Sequence, residues 1–173
     1  MANYITYELD LIKTFESILK RNGIIKACKN VTTNFGNNTK ELADIEFLSI
    51  EDEYLIIEAK SHFSKDRHNT YHKLFGELLK EASKVNNARK RYKNQMYLGV
   101  LIPEDKVPTS KRLRNGYDFY KDNFNNIEEK TFKKFGLLVN AKYVFVCSEV
   151  NSTVKVYSWM DFYKGRSPLK IYG

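Results

Sequence analysis

Asp44, Glu58 and Lys60 are the residues whose types and spacing suit chemistry in this chain. They stand within residues 42–61, where two runs alternate apolar and polar side chains on either side of an acidic loop, residues 49–53. Period-two alternation around a short connection is the pattern of a β-hairpin. Centring the loop on Glu51 pairs Leu48 with Tyr54, Glu46 with Ile56 and Asp44 with Glu58. Glu58 and Lys60, two apart, then share one face, while Leu55, Ile57 and Ala59 fill the other. Carboxylates placed opposite one another on a sheet repel unless something neutralises them. A hard divalent cation such as Mg²⁺ does so, taking oxygen from one or two carboxylates and the rest of its shell from water and substrate phosphate. A lysine beside it would hold a scissile phosphate or orient an attacking water. On spacing alone, a solvated hairpin carrying ordinary charges fits the same residues.

The flanking stretches supply the elements that would position these groups. Residues 4–21 predict an amphipathic helix with Ile5, Ile12, Phe15 and Leu19 on one stripe, ended by Asn22 and Gly23. Glu8 projects from that apolar stripe, so its carboxylate needs a metal, a lysine or a backbone donor. Its place near the helix start, where acids suit the dipole and reach water, is the alternative. Residues 24–35 read as a first strand, which with the hairpin makes three antiparallel strands. Residues 71–92 predict a second helix burying Leu74, Phe75, Leu78, Ala82 and Val85, with Glu77 well off that stripe. Residues 95–102 form an apolar strand ended by Pro103, and the crossover helix before it permits parallel pairing. Residues 117–135 predict a third helix ending at Gly136, residues 143–159 a hairpin, and residues 164–173 an irregular basic tail.

Ala43-Asp44, then Glu58-Ala59-Lys60 closing an apolar strand, with one helix before the hairpin and one after it, resembles the PD-(D/E)xK nuclease superfamily. That superfamily contains restriction endonucleases, Holliday junction resolvases and repair or transposition nucleases. Ala43 stands where its motif has proline. The resemblance spans roughly residues 4–103 and implies that Asp44 and Glu58 bind Mg²⁺, with Mn²⁺ as a substitute, and that Lys60 is the catalytic lysine. It further implies that Glu8, on the first helix, joins the metal site, and that a polar residue of the second helix, Lys73 or Glu77, faces it. The implied fold is α/β, a restriction-endonuclease-like core with a central mixed sheet of about five strands flanked by helices.

Composition bears on the partner. The 173 residues are most simply one domain, a nuclease core at 4–103 with a C-terminal extension at 104–173. A net charge of +8 favours an anionic partner, DNA first. Contacts to it are expected from Lys65 and Arg67 after the motif strand, from Lys73, and from Arg89, Lys90 and Arg91 at the end of the second helix. Lys111, Arg112 and Arg114 extend the expectation to the long loop at 103–116. Two cysteines without a spaced framework, no signal-like start and no membrane-length apolar run predict a cytoplasmic protein away from membranes. His62, His68 and His72 lack nearby cysteines, so zinc is not expected; His62 remains a candidate to assist catalysis. P-loop, dinucleotide-binding and nucleophile-elbow motifs are absent. The expected function is DNA cleavage by a restriction-type endonuclease, because the C-terminal half and the basic loop give room for reading sequence, and a homodimer is expected because a two-fold protein most easily reads a symmetric duplex site. A junction resolvase and a non-catalytic DNA-binding subunit are the alternatives.

Overall fold

Strands that are buried on both faces build the sheet, and its two apolar faces recruit the helices. The structure, a computed structural model, describes residues 8–37, 39–61, 67–106 and 115–173, with the backbone alone at 67–71. The chain forms a mixed α/β fold. Helix α1 (Glu8–Arg21) leads into β1 (Asn34–Phe35), β2 (Ile45–Leu48) and β3 (Tyr54–Ala59). Helices α2 (Arg67–Ser83) and α3 (Asn87–Arg91) precede β4 (Met96–Pro103), and α4 (Gly116–Asn125) and α5 (Glu129–Val139) precede β5 (Ala141–Ser148). Strand β6 (Thr153–Ser158), helix α6 (Trp159–Lys164) and β7 (Lys170–Tyr172) complete the chain.

The strands lie in sequence order in one seven-stranded sheet. The pairings β3–β4 and β4–β5 are parallel and the others antiparallel. Parallel neighbours need a crossover, and the helix pairs α2–α3 and α4–α5 provide the two. On one face α1 buries Leu11, Phe15 and Ile18 against Phe47, Ile57, Phe145 and Val156. On the other, Leu74, Leu78, Phe124, Phe132 and Phe162 from α2, α4, α5 and α6 pack on Tyr54, Ile56, Val100 and Val146.

The hairpin has the anticipated register, with Leu48 opposite Tyr54 and Glu46 opposite Ile56. The strand at 95–102 is present and buried, and it lies parallel to β3. Several expectations are corrected. The sheet has seven strands, not five. Residues 24–35 supply only the two-residue β1 and one isolated bridge, Ile25 to Ser49. The second helix breaks at residues 84–86, because the Asn86 side chain accepts from Arg89 N–H and caps a new helix, leaving Val85 exposed. The third helix is likewise two, and Gly136 lies inside α5 instead of ending it. A β-carbon at Gly136 would come within 2.5 Å of Trp159 Nε1, so glycine serves close packing there. The tail is not irregular throughout, since β7 pairs with β6.

Candidate active site

Asp44 ends the loop before β2, and several backbone bonds fix it. Its backbone carbonyl accepts from Gly36 N–H at 2.8 Å, and the carbonyl of Ala43 accepts from Asn34 Nδ2 at 2.7 Å. Ala43 N–H donates to Glu46 Oε1 at 3.0 Å. The Asp44 carboxylate then reaches β3, where Oδ2 accepts from Ala59 N–H at 3.0 Å. This brings Asp44 beside Glu58, whose carboxyl is hydrogen-bonded to it. Glu58 is buried, and burial together with the Asp44 carboxylate pushes its pKa well above the usual carboxylate range.

Lys60 extends from the end of β3, its backbone N–H donating to Leu101 O at 2.9 Å. Its ammonium pairs with Glu77 Oε2 of α2 at 2.7 Å. Burial lowers the Lys60 pKa, but the bond to Glu77 and the fields of Glu8, Glu77 and Asp44 outweigh it, and the net shift is upward. Glu8 opens α1 within electrostatic range of Lys60, Asp44 and Glu77. Burial pushes its carboxyl up to about 7, Lys60 opposing and Asp44 and Glu77 adding. A cleft of about 290 Å³ opens on Glu8 and Asp44. An apolar hollow of about 80 Å³ between Leu19, Phe47, Leu55 and Phe145 shares no residue with it.

Asp44, Glu58, Lys60 and Glu8 thus come together at one end of β3, with Glu77 as their fifth member. Among the described residues no three Asp, Glu, His or Cys side chains stand close enough together to hold a metal ion. The Asp44–Glu58 pair still suits one. Mg²⁺ commonly takes one or two carboxylates and completes its shell with water and phosphate, and two hydrogen-bonded acidic groups at a buried spot supply that pair.

Compared with known proteins, the chain matches no family model, no curated protein and no solved structure.

The basic residues expected at DNA divide three ways. Lys73, Lys90 and Arg91 are exposed. Arg89 is corrected: it is 2% exposed and its guanidinium pairs with Glu46 and with Glu81 at 2.7 Å, so no phosphate can reach it. Lys65, Lys111, Arg112, Arg114 and His62 lie outside the described residues, as do the side chains of Arg67 and His68. Sequence reasoning missed the supporting network in which Tyr54 Oη donates to Glu46 Oε2 at 2.6 Å while Arg89 neutralises Glu46 from the other side. The signal was available: Glu46 alternates with apolar residues onto the face that carries Tyr54, where an acid needs a cation. Tyr120 was missed as well. Its hydroxyl donates to Ser61 O at 3.0 Å and holds the chain just past Lys60.

Proposed function

We propose that this protein is a Mg²⁺-dependent endonuclease of the PD-(D/E)xK kind that hydrolyses DNA phosphodiester bonds, with a restriction-type enzyme as the preferred subclass. One observation carries the reading: Asp44 and Glu58 meet carboxyl to carboxyl at the end of β3, with Lys60 on the same face. Two acids brought together where water is scarce must share either a proton or a cation, and a cation that displaces the proton would find both oxygens already placed. The order of α1, the β2–β3 hairpin, α2 and a parallel β4 agrees with the resemblance read from the sequence.

In this reading Asp44 and Glu58 hold the metal and Glu8 faces the same spot. An ion held by these carboxylates would supply an acidified water and a positive charge beside the phosphoryl oxygens. Lys60, kept cationic by Glu77, holds a non-bridging phosphate oxygen and stabilises the transition state electrostatically. Glu77 fixes the direction of the ammonium, and Tyr120 holds the chain beyond it.

The test is incubation of the protein with plasmid DNA and with a four-way junction, with and without Mg²⁺, followed by sequencing of the ends. Discrete Mg²⁺-dependent bands from plasmid support the restriction subclass, and cutting confined to the junction moves the assignment to a resolvase. Asp44→Asn and Lys60→Ala should each abolish cleavage while DNA binding persists. Mg²⁺-dependent cleavage retained in the Lys60 variant removes that residue from the mechanism. No cleavage of any substrate, with no Mg²⁺ binding in a titration, overturns the enzyme reading.

A further inference from the structure

The stretch that carries Asp44 into the site is held on both sides of one residue. Glu46, buried on β2, accepts from Ala43 N–H at 3.0 Å, and Asn34, buried on β1, donates through Nδ2 to the Ala43 carbonyl at 2.7 Å. The first bond orients the peptide plane before Ala43 and the second orients the plane after it, so both backbone dihedrals of the residue preceding Asp44 are restrained. Gly36 N–H then holds the Asp44 carbonyl at 2.8 Å, and Ala59 N–H holds the Asp44 carboxylate. Ala43 stands where the resembled motif has proline, a residue with a fixed φ and no N–H. A chain with proline there could not make the Glu46 bond. This chain makes it, and so restrains the same φ by other means.

Glu46 is itself oriented. Its Oε1 also accepts from Arg89, and its Oε2 accepts from Tyr54 Oη at 2.6 Å, so both oxygens are engaged. Stability alone is a weak reason for burying such a group, because replacing a buried ion pair by apolar side chains often leaves a fold as stable or more so. Placing a metal ligand is a stronger one, since ligand oxygens must be held to within about 0.5 Å and the hydrogen bonds behind them govern affinity.

We propose that Glu46 and Asn34 are positioning residues for cation binding, which act through Ala43 to aim the Asp44 carboxylate at the spot it shares with Glu58. The inference rests on the nuclease reading and deepens it, assigning the effect on the site to the acceptor oxygen of Glu46 and not to its charge.

Calorimetric titration of the full chain with Mg²⁺ alone, together with kcat and KM for plasmid cleavage, tests it. Glu46→Met keeps the side-chain length and leaves Arg89 its bond to Glu81, but removes the acceptor. It should weaken Mg²⁺ binding about ten- to a hundredfold and lower kcat at limiting Mg²⁺, with KM for DNA near the wild-type value. Glu46→Gln loses the same charge but keeps an oxygen for Ala43 N–H, and should recover most of the Mg²⁺ affinity. Asn34→Ala opens the other side of the clamp without touching the Arg89 cluster. It should weaken Mg²⁺ binding in the same way, and it decides the question alone should urea denaturation show Glu46→Met unfolded. Gly136→Ala, destabilised at the Trp159 contact outside this network, should bind Mg²⁺ as the wild type does. Wild-type Mg²⁺ affinity in the folded Met and Ala variants overturns the positioning role and leaves the nuclease reading standing. A Gln variant as weak as the Met variant assigns the effect to charge, and an equally weak Gly136→Ala assigns it to stability; either result overturns the proposal. A wild type that neither binds Mg²⁺ nor cuts DNA defeats the underlying reading, and the inference falls with it.

Discussion

Burial and the adjacent Asp44 carboxylate both disfavour charge on Glu58 and push its pKa well above the usual carboxylate range, which favours the protonated form. A carboxyl group must lose its proton to ligate a metal, so binding and proton release are coupled. Calorimetric titration with Mg²⁺ at pH 7, in two buffers of different ionisation enthalpy, should therefore give different apparent heats. Glu58→Gln should abolish the difference, and equal heats in both buffers for the wild type would refute the coupling. Glu8 leads to a related expectation for stability. Its carboxyl is pushed from 4.5 up to about 7, so between those pH values the folded chain holds a proton that the unfolded chain has released. Stability then falls as pH rises through that window, and Glu58 acts in the same direction. The metal-free protein should lose thermal stability from pH 5 to 8, Glu8→Gln should flatten the decline, and a Tm rising over that range would contradict it. The meeting of Asp44 and Glu58 was legible in the sequence, because centring the five-residue loop on Glu51 sets a register that pairs them, and the observed pairing of Ile45 with Ile57 continues to that pair. The role of Glu77 was less legible, since nothing in the α2 periodicity says that an off-stripe glutamate will face the end of β3.

Elements are where sequence reading and structure diverge most, and the reasons lie in tertiary contacts. Residues 71–92 carry an almost unbroken helical pattern, yet Arg89 is drawn inward to two acids from different elements, Glu46 on β2 and Glu81 on α2. The chain breaks at residues 84–86, and a cluster that looked like a basic helix end contributes one structural cation and two exposed ones. Truncating one partner of a buried ion pair costs about 3–5 kcal/mol, because the opposing charge is left uncompensated. Arg89→Ala strands two such acids and should lower unfolding free energy by about that amount in urea denaturation. A change below about 1 kcal/mol would mean that Glu46 and Glu81 are satisfied elsewhere. Glu46 also holds Ala43 N–H, so the same variant should disturb Asp44. Gly136 shows the same lesson in α5. Glycine commonly ends helices, but here the Trp159 ring lies over α5, stacked on Phe132 with centroids 4.4 Å apart. Gly136→Ala must displace that ring and should cost about 1–3 kcal/mol by the same assay.

At the scale of the whole molecule, the question is whether the stretch bearing the nuclease resemblance can stand without the rest. Residues 104–173 contribute β5, β6 and β7, three strands of the seven-stranded sheet, with β5 pairing directly along β4. Phe145, Cys147, Val154 and Val156 belong to the same apolar cluster as Leu11, Phe15 and Ile18 of α1. Phe124, Phe132, Trp159 and Phe162 do the same for the α2 face. Tyr120, which steadies the chain past Lys60, also lies in that half. Cutting the chain after Pro103 would turn β4, buried from Leu98 to Pro103, into an open apolar edge, would strip the α2 face of α4, α5 and α6, and would leave α1 without Phe145 and Val156 to pack on. An exposed hydrophobic edge strand is a template for aggregation. A fragment of residues 1–103 should therefore show no cooperative thermal transition by circular dichroism and should sediment as aggregate, whereas the full chain unfolds in one transition. A monomeric fragment with dispersed amide resonances would show that α1, the hairpin, α2 and β4 fold alone. The site would then be separable from the sheet's C-terminal half, against the way both cores draw on the entire chain.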